Sequence, residues 1–140
     1  MSEKKLGFLI GNLFYAYTSY MNSYLKEMDL TLSQTRILLV LALNGGISIY
    51  ELSKATNIGK SSITKSVKIL EKKGFLTKEI DSQDNRKKYI KITPKGLEVQ
   101  KLAVRMNDEI ENKINEEFGE NEINELKEKL EQLIGIIKVP

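Results

Sequence analysis

Apolar and aromatic residues recur at steps of three and four along the first part of the chain. They are Leu6, Leu9, Ile10, Leu13, Tyr17, Tyr20 and Tyr24. This spacing places them on one face of a helix, so a helix is predicted over residues 6–28, with a break at residues 29–32. The next helix, predicted over residues 32–43, is apolar on almost every side from Ile37 to Leu43, which indicates the buried centre of the core.

A short helix is predicted next, from the capping residue Ser48 to about Thr56. A tight turn at Asn57-Ile58-Gly59 separates it from a second helix. Thr31 with Gln34, and Ser48 with Glu51, have the spacing of a capping box, which marks where a helix begins. The helix over residues 60–73 has an apolar face and an opposite face of hydroxyl and basic side chains. This arrangement is typical of a helix-turn-helix, whose second helix enters the major groove of DNA.

Two β-compatible runs, residues 75–80 and 88–93, flank a polar segment and predict a hairpin with Arg86 at its tip. A hairpin directly after a recognition helix forms a wing that fits the narrow, negative minor groove. The alternative is that Asp84 orients Arg86 through an ion pair. Thr93 and Pro94 then predict the start of a long helix, and residues 122–137 predict a last one.

The predicted fold is mainly α with a small β-hairpin wing. Residues 31–93 are predicted as a winged helix-turn-helix DNA-binding domain, and residues 1–30 and 94–140 as a helical dimerisation region. The terminal helices carry more apolar surface than a small winged domain covers, so a homodimer is expected. Its interface is predicted at Leu6, Leu9, Leu13, Ile123, Leu126, Leu130, Leu133 and Ile137.

Charge is distributed unevenly along the chain. Residues 59–95 hold eleven Lys or Arg and four Asp or Glu, a net charge of +7, whereas the rest of the chain carries −4. A basic block is usually a solvated face, but concentrated in one subdomain it also fits a surface that contacts phosphates.

The sequence contains no cysteine and no histidine, which removes Ser-His and Cys-His catalysis and Cys/His zinc sites. We therefore expect no enzyme activity and no metal. Gly59-Lys60-Ser61 resembles the end of a phosphate-binding loop, but Lys54 occupies the position of the required first glycine, so no nucleotide cofactor is expected. No apolar run has the length of a membrane span, and a cytoplasmic protein is predicted.

The wing and the helix after it carry a more specific pattern. The polar segment of the wing contains Asp81, Asp84 and Arg86. An apolar strand follows, and after it come Thr93 and, three residues later, Gly96. In this pattern and in the order of its elements, the chain resembles the MarR family of transcription regulators over nearly its whole length. Asn85 stands where the family pattern has the first of two arginines, and Lys87 and Lys88 follow.

The resemblance implies a homodimeric repressor that binds a pseudo-palindromic operator in double-stranded DNA. By analogy, the DNA-contacting residues are Lys60, Ser61, Ser62, Thr64, Lys65, Lys68, Arg86, Lys87 and Lys88. The resemblance also implies release of DNA by a small aromatic or phenolic ligand. The side chains considered for such a pocket are Tyr15, Tyr17, Tyr20, Tyr24 and Arg36, although the tyrosines are also typical of a packed dimer interface.

One alternative function belongs to another class. Winged domains also dock proteins, and the acidic C-terminal half of this chain suits a protein-interaction module. The basic block and the hydroxyl-rich face of the second helix favour DNA, because a protein-docking domain has no need of them.

Overall fold

A computed structural model describes residues 5–84 and 86–138. Six α-helices and two strands lie along the described part of the chain. They are α1 (Leu6–Leu25), α2 (Leu32–Ala42), α3 (Ile49–Thr56), α4 (Lys60–Lys72), β1 (Leu76–Ile80), β2 (Lys88–Ile92), α5 (Pro94–Phe118) and α6 (Glu120–Ile137), with a 3-10 turn at Lys26–Met28 after α1. The mainly helical fold with one hairpin is confirmed, and each predicted element is present within about three residues of its predicted ends.

The two predicted capping boxes have different outcomes. At α2 both bonds form: the Gln34 N–H donates to Thr31 Oγ1 at 3.2 Å, and the Thr31 N–H donates to Gln34 Oε1 at 3.1 Å. At α3 the Glu51 N–H donates to Ser48 Oγ at 3.1 Å, but the Glu51 carboxylate accepts from the Ser48 hydroxyl. Ser48 therefore caps α3, while the reciprocal half of the predicted box is replaced by a bond between side chains.

The chain divides into two compact units, residues 1–103 and 104–140. In the first unit the core is formed by α2, α3, α4, the hairpin and the first turns of α5. Its fully buried side chains include Leu38, Leu41, Leu52, Ile63, Val67, Leu70 and Ile90. Leu43 was expected in this core, and that expectation is wrong: it caps the C-terminus of α2 and is 84% exposed.

The two strands pair antiparallel, with Leu76 opposite Ile92 and Ile80 opposite Lys88. Ile47, in the loop before α3, forms an additional bridge to Ile90, exchanging backbone hydrogen bonds of 3.2 and 2.7 Å with it. This bridge ties the base of the hairpin to the helix-turn-helix, so the position of the wing is fixed relative to α3.

The second unit comprises the later turns of α5 and the whole of α6. Its buried apolar side chains include Met106, at 2% exposure, and Ile123, at 7%, and Lys127 forms an ion pair with Glu111. The functional division into residues 31–93 and the flanking helices stays a prediction, since the first compact unit also contains α1. Among the described residues, no helix is long and apolar enough to cross a membrane.

Candidate nucleic-acid interface

The two faces of α4 are separated by burial. Ile63, Val67 and Leu70 point into the core and are fully buried. The other side of the helix is open to solvent, and all of its predicted DNA-contacting residues are exposed, namely Lys60, Ser61, Ser62, Thr64, Lys65 and Lys68. The core side chains thus fix the rotation of α4 about its own axis, and this rotation presents the hydroxyls and lysines outward.

The hydroxyls lie at the N-terminal end of α4 and the lysines follow along its length. Thr64 Oγ1 donates to the Lys60 carbonyl at 2.9 Å, which holds its rotamer and leaves the oxygen lone pairs as acceptors. Short side chains near a helix N-terminus allow the backbone to approach base edges, and lysines farther along reach phosphates.

The wing and α4 enclose a shared cleft. This cleft, of about 470 Å³, is lined by Lys60 at the start of α4, by Arg86, Lys87 and Lys88 of the wing, and by residues of α3. A smaller neighbouring cleft of about 220 Å³ is lined by Thr64, Lys68 and Lys88, among others. The structure therefore brings Lys60 and Lys68 of α4 and the basic side chains of the wing to two neighbouring clefts, and the larger cleft is also lined by Glu51.

Hydrogen bonds between residues 81 and 87 define the wing tip. The Asp81 N–H donates to the Lys87 carbonyl at 2.9 Å, and the Lys87 N–H donates to the Asp84 carbonyl at 3.0 Å. Asp84 Oδ1 accepts from the Arg86 N–H at 3.0 Å and from Arg86 Nε at 3.3 Å. The predicted pairing of Asp84 with Arg86 is present, and Asn85 lies outside the described residues.

Asp84 contacts the Nε side of the Arg86 guanidinium and leaves its other side open to solvent. Its side chain is 92% exposed although it pairs with Asp84. Asp84 bonds the Nε edge of the guanidinium, so the terminal nitrogens remain available for an acceptor on DNA. The arrangement reduces the number of conformations that Arg86 would lose on binding.

Ion pairs divide the basic block into two sets. Lys78 pairs with Glu71 at 3.5 Å and Lys91 pairs with Glu79 at 2.9 Å, so these lysines are neutralised along the hairpin. Among the described residues, the basic side chains of this block for which no ion pair is seen are Lys60, Lys65, Lys68, Lys72, Lys87, Lys88 and Lys95. All except Lys95 lie on α4 or the wing.

Three residues at this surface were not predicted from the sequence to lie near DNA. Lys72 is exposed and lies four residues after Lys68, which puts it on the same face of α4. Its spacing was a readable signal. Ser48 and Tyr50 of α3 line the larger cleft, and nothing in the sequence predicts that, because the contact depends on how α3 packs beside the wing.

The side chains considered for a ligand pocket are only partly brought together. Tyr17, Tyr20 and Tyr24 lie on one face of α1, and the rings of Tyr20 and Tyr24 meet edge to face at 5.3 Å between centroids. Tyr15 lies on the opposite side of α1 and is 74% exposed. Arg36 is exposed on α2. Across residues 5–84 and 86–138, no group of three or more acidic side chains is placed to hold a metal ion.

The residues predicted for the dimer interface differ in exposure. Leu6, Leu9 and Leu13 of α1 are exposed, as are Leu126, Leu130 and Ile137 of α6. Leu133 is half-buried, and Ile123 is already buried within its own chain. Each unit thus presents exposed apolar side chains on a helix, while Ile123 stabilises its own unit.

Comparison with known proteins agrees with this geometry. The sequence profile of the MarR family matches residues 30–88, which run from the start of α2 to the start of β2. The regulator FarR of Neisseria gonorrhoeae is 30% identical over 115 residues, covering 80% of this chain and 77% of that protein. The regulator SarZ of Staphylococcus saprophyticus is 29% identical over 113 residues, covering 81% and 76%.

The fold has close structural counterparts. The crystal structure of an S. aureus MepR–DNA complex matches with a TM-score of 0.87 at 21% identity, covering 96% of this chain and 100% of that one. FarR and SarZ are both described as helix-turn-helix transcriptional regulators. These relatives agree with the winged architecture and with the basic face of α4 and the wing. The chain therefore belongs to the MarR family of winged helix-turn-helix transcription regulators.

Proposed function

We propose that the protein is a cytoplasmic, homodimeric repressor that binds a pseudo-palindromic operator in double-stranded DNA. The observation that carries this proposal is the larger cleft, in which Lys60 of α4 and Arg86, Lys87 and Lys88 of the wing face the same space. A recognition helix and a wing that share one cationic surface can bind one duplex through both grooves at once.

Related proteins support a DNA target. MepR, which has the same fold, was crystallised with DNA. A degradative operon repressor of Escherichia coli is 26% identical over 121 residues, and its described role is repression. Because FarR and SarZ are also described as transcriptional regulators, we propose a regulator without enzymatic activity.

A two-fold dimer sets the form of the operator. Two copies related by a two-fold axis present two copies of α4, and these read inverted half-sites about one helical turn apart, ~10 bp centre to centre. The exposed leucines of α1 and α6 supply apolar surface for such an interface. A protection footprint that covers one asymmetric half-site would contradict this arrangement.

The first test is binding to a duplex from the DNA upstream of the gene, compared with a scrambled duplex, across a salt series. We expect specific binding that weakens steeply with salt, because each phosphate contact releases counterions. Arg86→Ala should lower the affinity for the specific duplex by about tenfold, since it removes the groove-reaching side chain of the wing.

The matched control is Arg105→Ala. Arg105 is an exposed arginine on the later turns of α5, far along the chain from the wing, and its removal costs the same charge. Its DNA affinity should match that of the wild type. Equal and weak binding of the wild type to both duplexes would leave only general electrostatic attraction, and a protein-interaction module would then be the better account.

A small aromatic effector is a further part of the proposal. The shared face of Tyr17, Tyr20 and Tyr24 on α1 supports it, because aromatic rings that carry a polar hydroxyl suit a phenolic ligand. An effector releases DNA only if it binds the DNA-free arrangement more tightly. Titration with salicylate should then lower the DNA affinity and shift the melting temperature. No change in either quantity contradicts this part of the proposal.

A further inference from the structure

The C-terminal end of α4 is bonded to two other segments of its unit by side chains that the DNA interface does not use. We name this cluster the α4 exit junction and define it as Asp29, Lys73, Gly74, Thr93 and Lys95. Asp29 lies between the turn that ends α1 and the start of α2, and Thr93 and Lys95 lie at the start of α5. The junction therefore connects the recognition helix to both helices that flank the winged domain.

Lys73 makes the connection towards α1. Its Nζ donates to the Asp29 carbonyl at 2.6 Å and to Asp29 Oδ2 at 3.1 Å. Asp29 adopts the left-handed conformation with φ of 55°, and its own N–H donates to the Lys26 carbonyl at 3.0 Å. Although Lys73 belongs to the basic block and directly follows the exposed Lys72, its charge is used within the protein.

Lys95 and Thr93 make the connection towards α5. Lys95 Nζ donates to the Lys73 carbonyl at 2.7 Å and lies 4.6 Å from the centroid of the Phe75 ring. Thr93 Oγ1 donates to the Gly74 carbonyl at 2.6 Å. The carbonyl groups at the end of α4 are thus satisfied by the first residues of α5, which fixes the direction of one helix relative to the other.

We infer that Lys73 is a positioning residue for DNA binding: it fixes the angle of α4 relative to α1 and thereby the separation of the two recognition helices in the dimer. This inference rests on the proposed dimeric DNA-binding function. The thirteen residues of α4 span ~20 Å, so a rotation of about 10° at the junction moves the base-reading end by ~3.5 Å, about one base-pair step. Each recognition helix would still fit a half-site, but the pair would not fit both half-sites together.

Two neighbouring lysines provide the test. Lys72→Met and Lys73→Met remove the same charge from adjacent positions, and methionine keeps most of the aliphatic chain. The probes are duplexes selected by the wild-type protein from a random pool, the same duplexes cut to one half-site, and duplexes with the half-sites moved apart by one or two base pairs. Affinity for each probe is measured across a salt series.

For Lys73→Met we expect the affinity for the two-half-site duplex to fall about tenfold, while single-half-site affinity stays within about twofold of wild type, because simultaneous engagement is what is lost. The preference among spacings should broaden. For Lys72→Met we expect the affinity to fall on both probes. One phosphate contact is lost on the single half-site and two on the two-half-site duplex, so the salt slope should decrease by about one and about two, respectively.

A second variant separates geometry from charge. Asp29→Gly keeps the left-handed backbone available but removes the carboxylate, and it changes the net charge in the opposite direction to Lys73→Met. Both variants should lose part of the two-half-site preference. If Lys73→Met does not fold at the assay temperature, Asp29→Gly still tests whether the bond between Lys73 and Asp29 positions α4.

Several outcomes would overturn the inference. A loss of affinity for the single half-site as well, with a lower salt slope on both probes, would make Lys73 a phosphate contact. Unchanged preference in both variants, or a variant that is monomeric by size-exclusion chromatography, would also reject a positioning role. If the wild type selects no sequence from the pool, the proposed function itself fails, and this result is distinct from a failure of Lys73→Met alone.

Discussion

At the scale of single residues, Gly96 explains one part of the family pattern in physical terms. A Cβ built on Gly96 would collide with the Phe75 carbonyl oxygen and with the Ile92 side chain. The first turn of α5 therefore packs directly on the backbone at the end of α4, and only a residue without a side chain permits this approach. Thr93 uses the same closeness, since its N–H donates to the Phe75 carbonyl at 3.1 Å.

We predict that Gly96→Ala destabilises the protein by about 1–3 kcal/mol, because an added methyl group must push backbone away from backbone. Thermal or chemical denaturation measures this. Gly45→Ala is the control, since nothing lies within 4 Å of the Cβ that it would add and the change should be close to neutral. Equal stability of the two variants would show that α5 adjusts without cost.

At the scale of elements, α4 separates its two tasks by face. Ile63, Val67 and Leu70 anchor it in the core, and its outer lysines have no carboxylate partner among the described residues. The hairpin has the opposite character, because Lys78 and Lys91 are paired with glutamates. Lysines of the same basic block therefore differ in whether their charge is available to contact DNA phosphates.

This difference gives a prediction for salt dependence. Lys65→Ala should reduce the slope of log affinity against log salt by about two, on specific and scrambled duplexes alike, because the dimer loses one phosphate contact in each protomer. Lys91→Ala removes the same charge from a paired position and should leave the slope unchanged. If both variants reduce the slope equally, net charge alone governs binding.

At the scale of the whole molecule, the apolar face of α1 is the main feature that one chain leaves open. Leu6, Leu9 and Leu13 are exposed and lie on the same side of the helix as Tyr17, Tyr20 and Tyr24. Apolar side chains that recur on one face of a helix and remain uncovered are typical of an interface with a second copy.

We predict that Leu13→Glu weakens the dimer, because a carboxylate would be buried among apolar side chains. Size-exclusion chromatography with light scattering over a dilution series should show monomer at concentrations where the wild type is dimeric. Ser19→Glu places the same charge about 120° around the axis of α1 from Leu13 and should leave the dimer intact. A wild-type chain that is monomeric at all concentrations would contradict the prediction.

The elements and their outward faces follow from local features of the sequence. The helical spacing, the glycine and proline positions and the Thr31 cap are local signals, and local backbone preferences respond to them directly. For the same reason the exposed side of α4 was predictable, since the three buried residues leave one remaining face. Leu43 was misjudged because hydrophobicity says nothing about where a helix end lies relative to the core.

Which lysines form ion pairs, and which distant segments of the chain come into contact, depends on the tertiary structure. Lys72 and Lys73 are adjacent and chemically identical, yet one is exposed while the other bonds Asp29, forty-four residues away in sequence. The pairing of Ile47 with Ile90 and the place of Tyr50 beside the wing are likewise contacts between distant segments. Such contacts depend on how the elements pack, and no local pattern of residues encodes them.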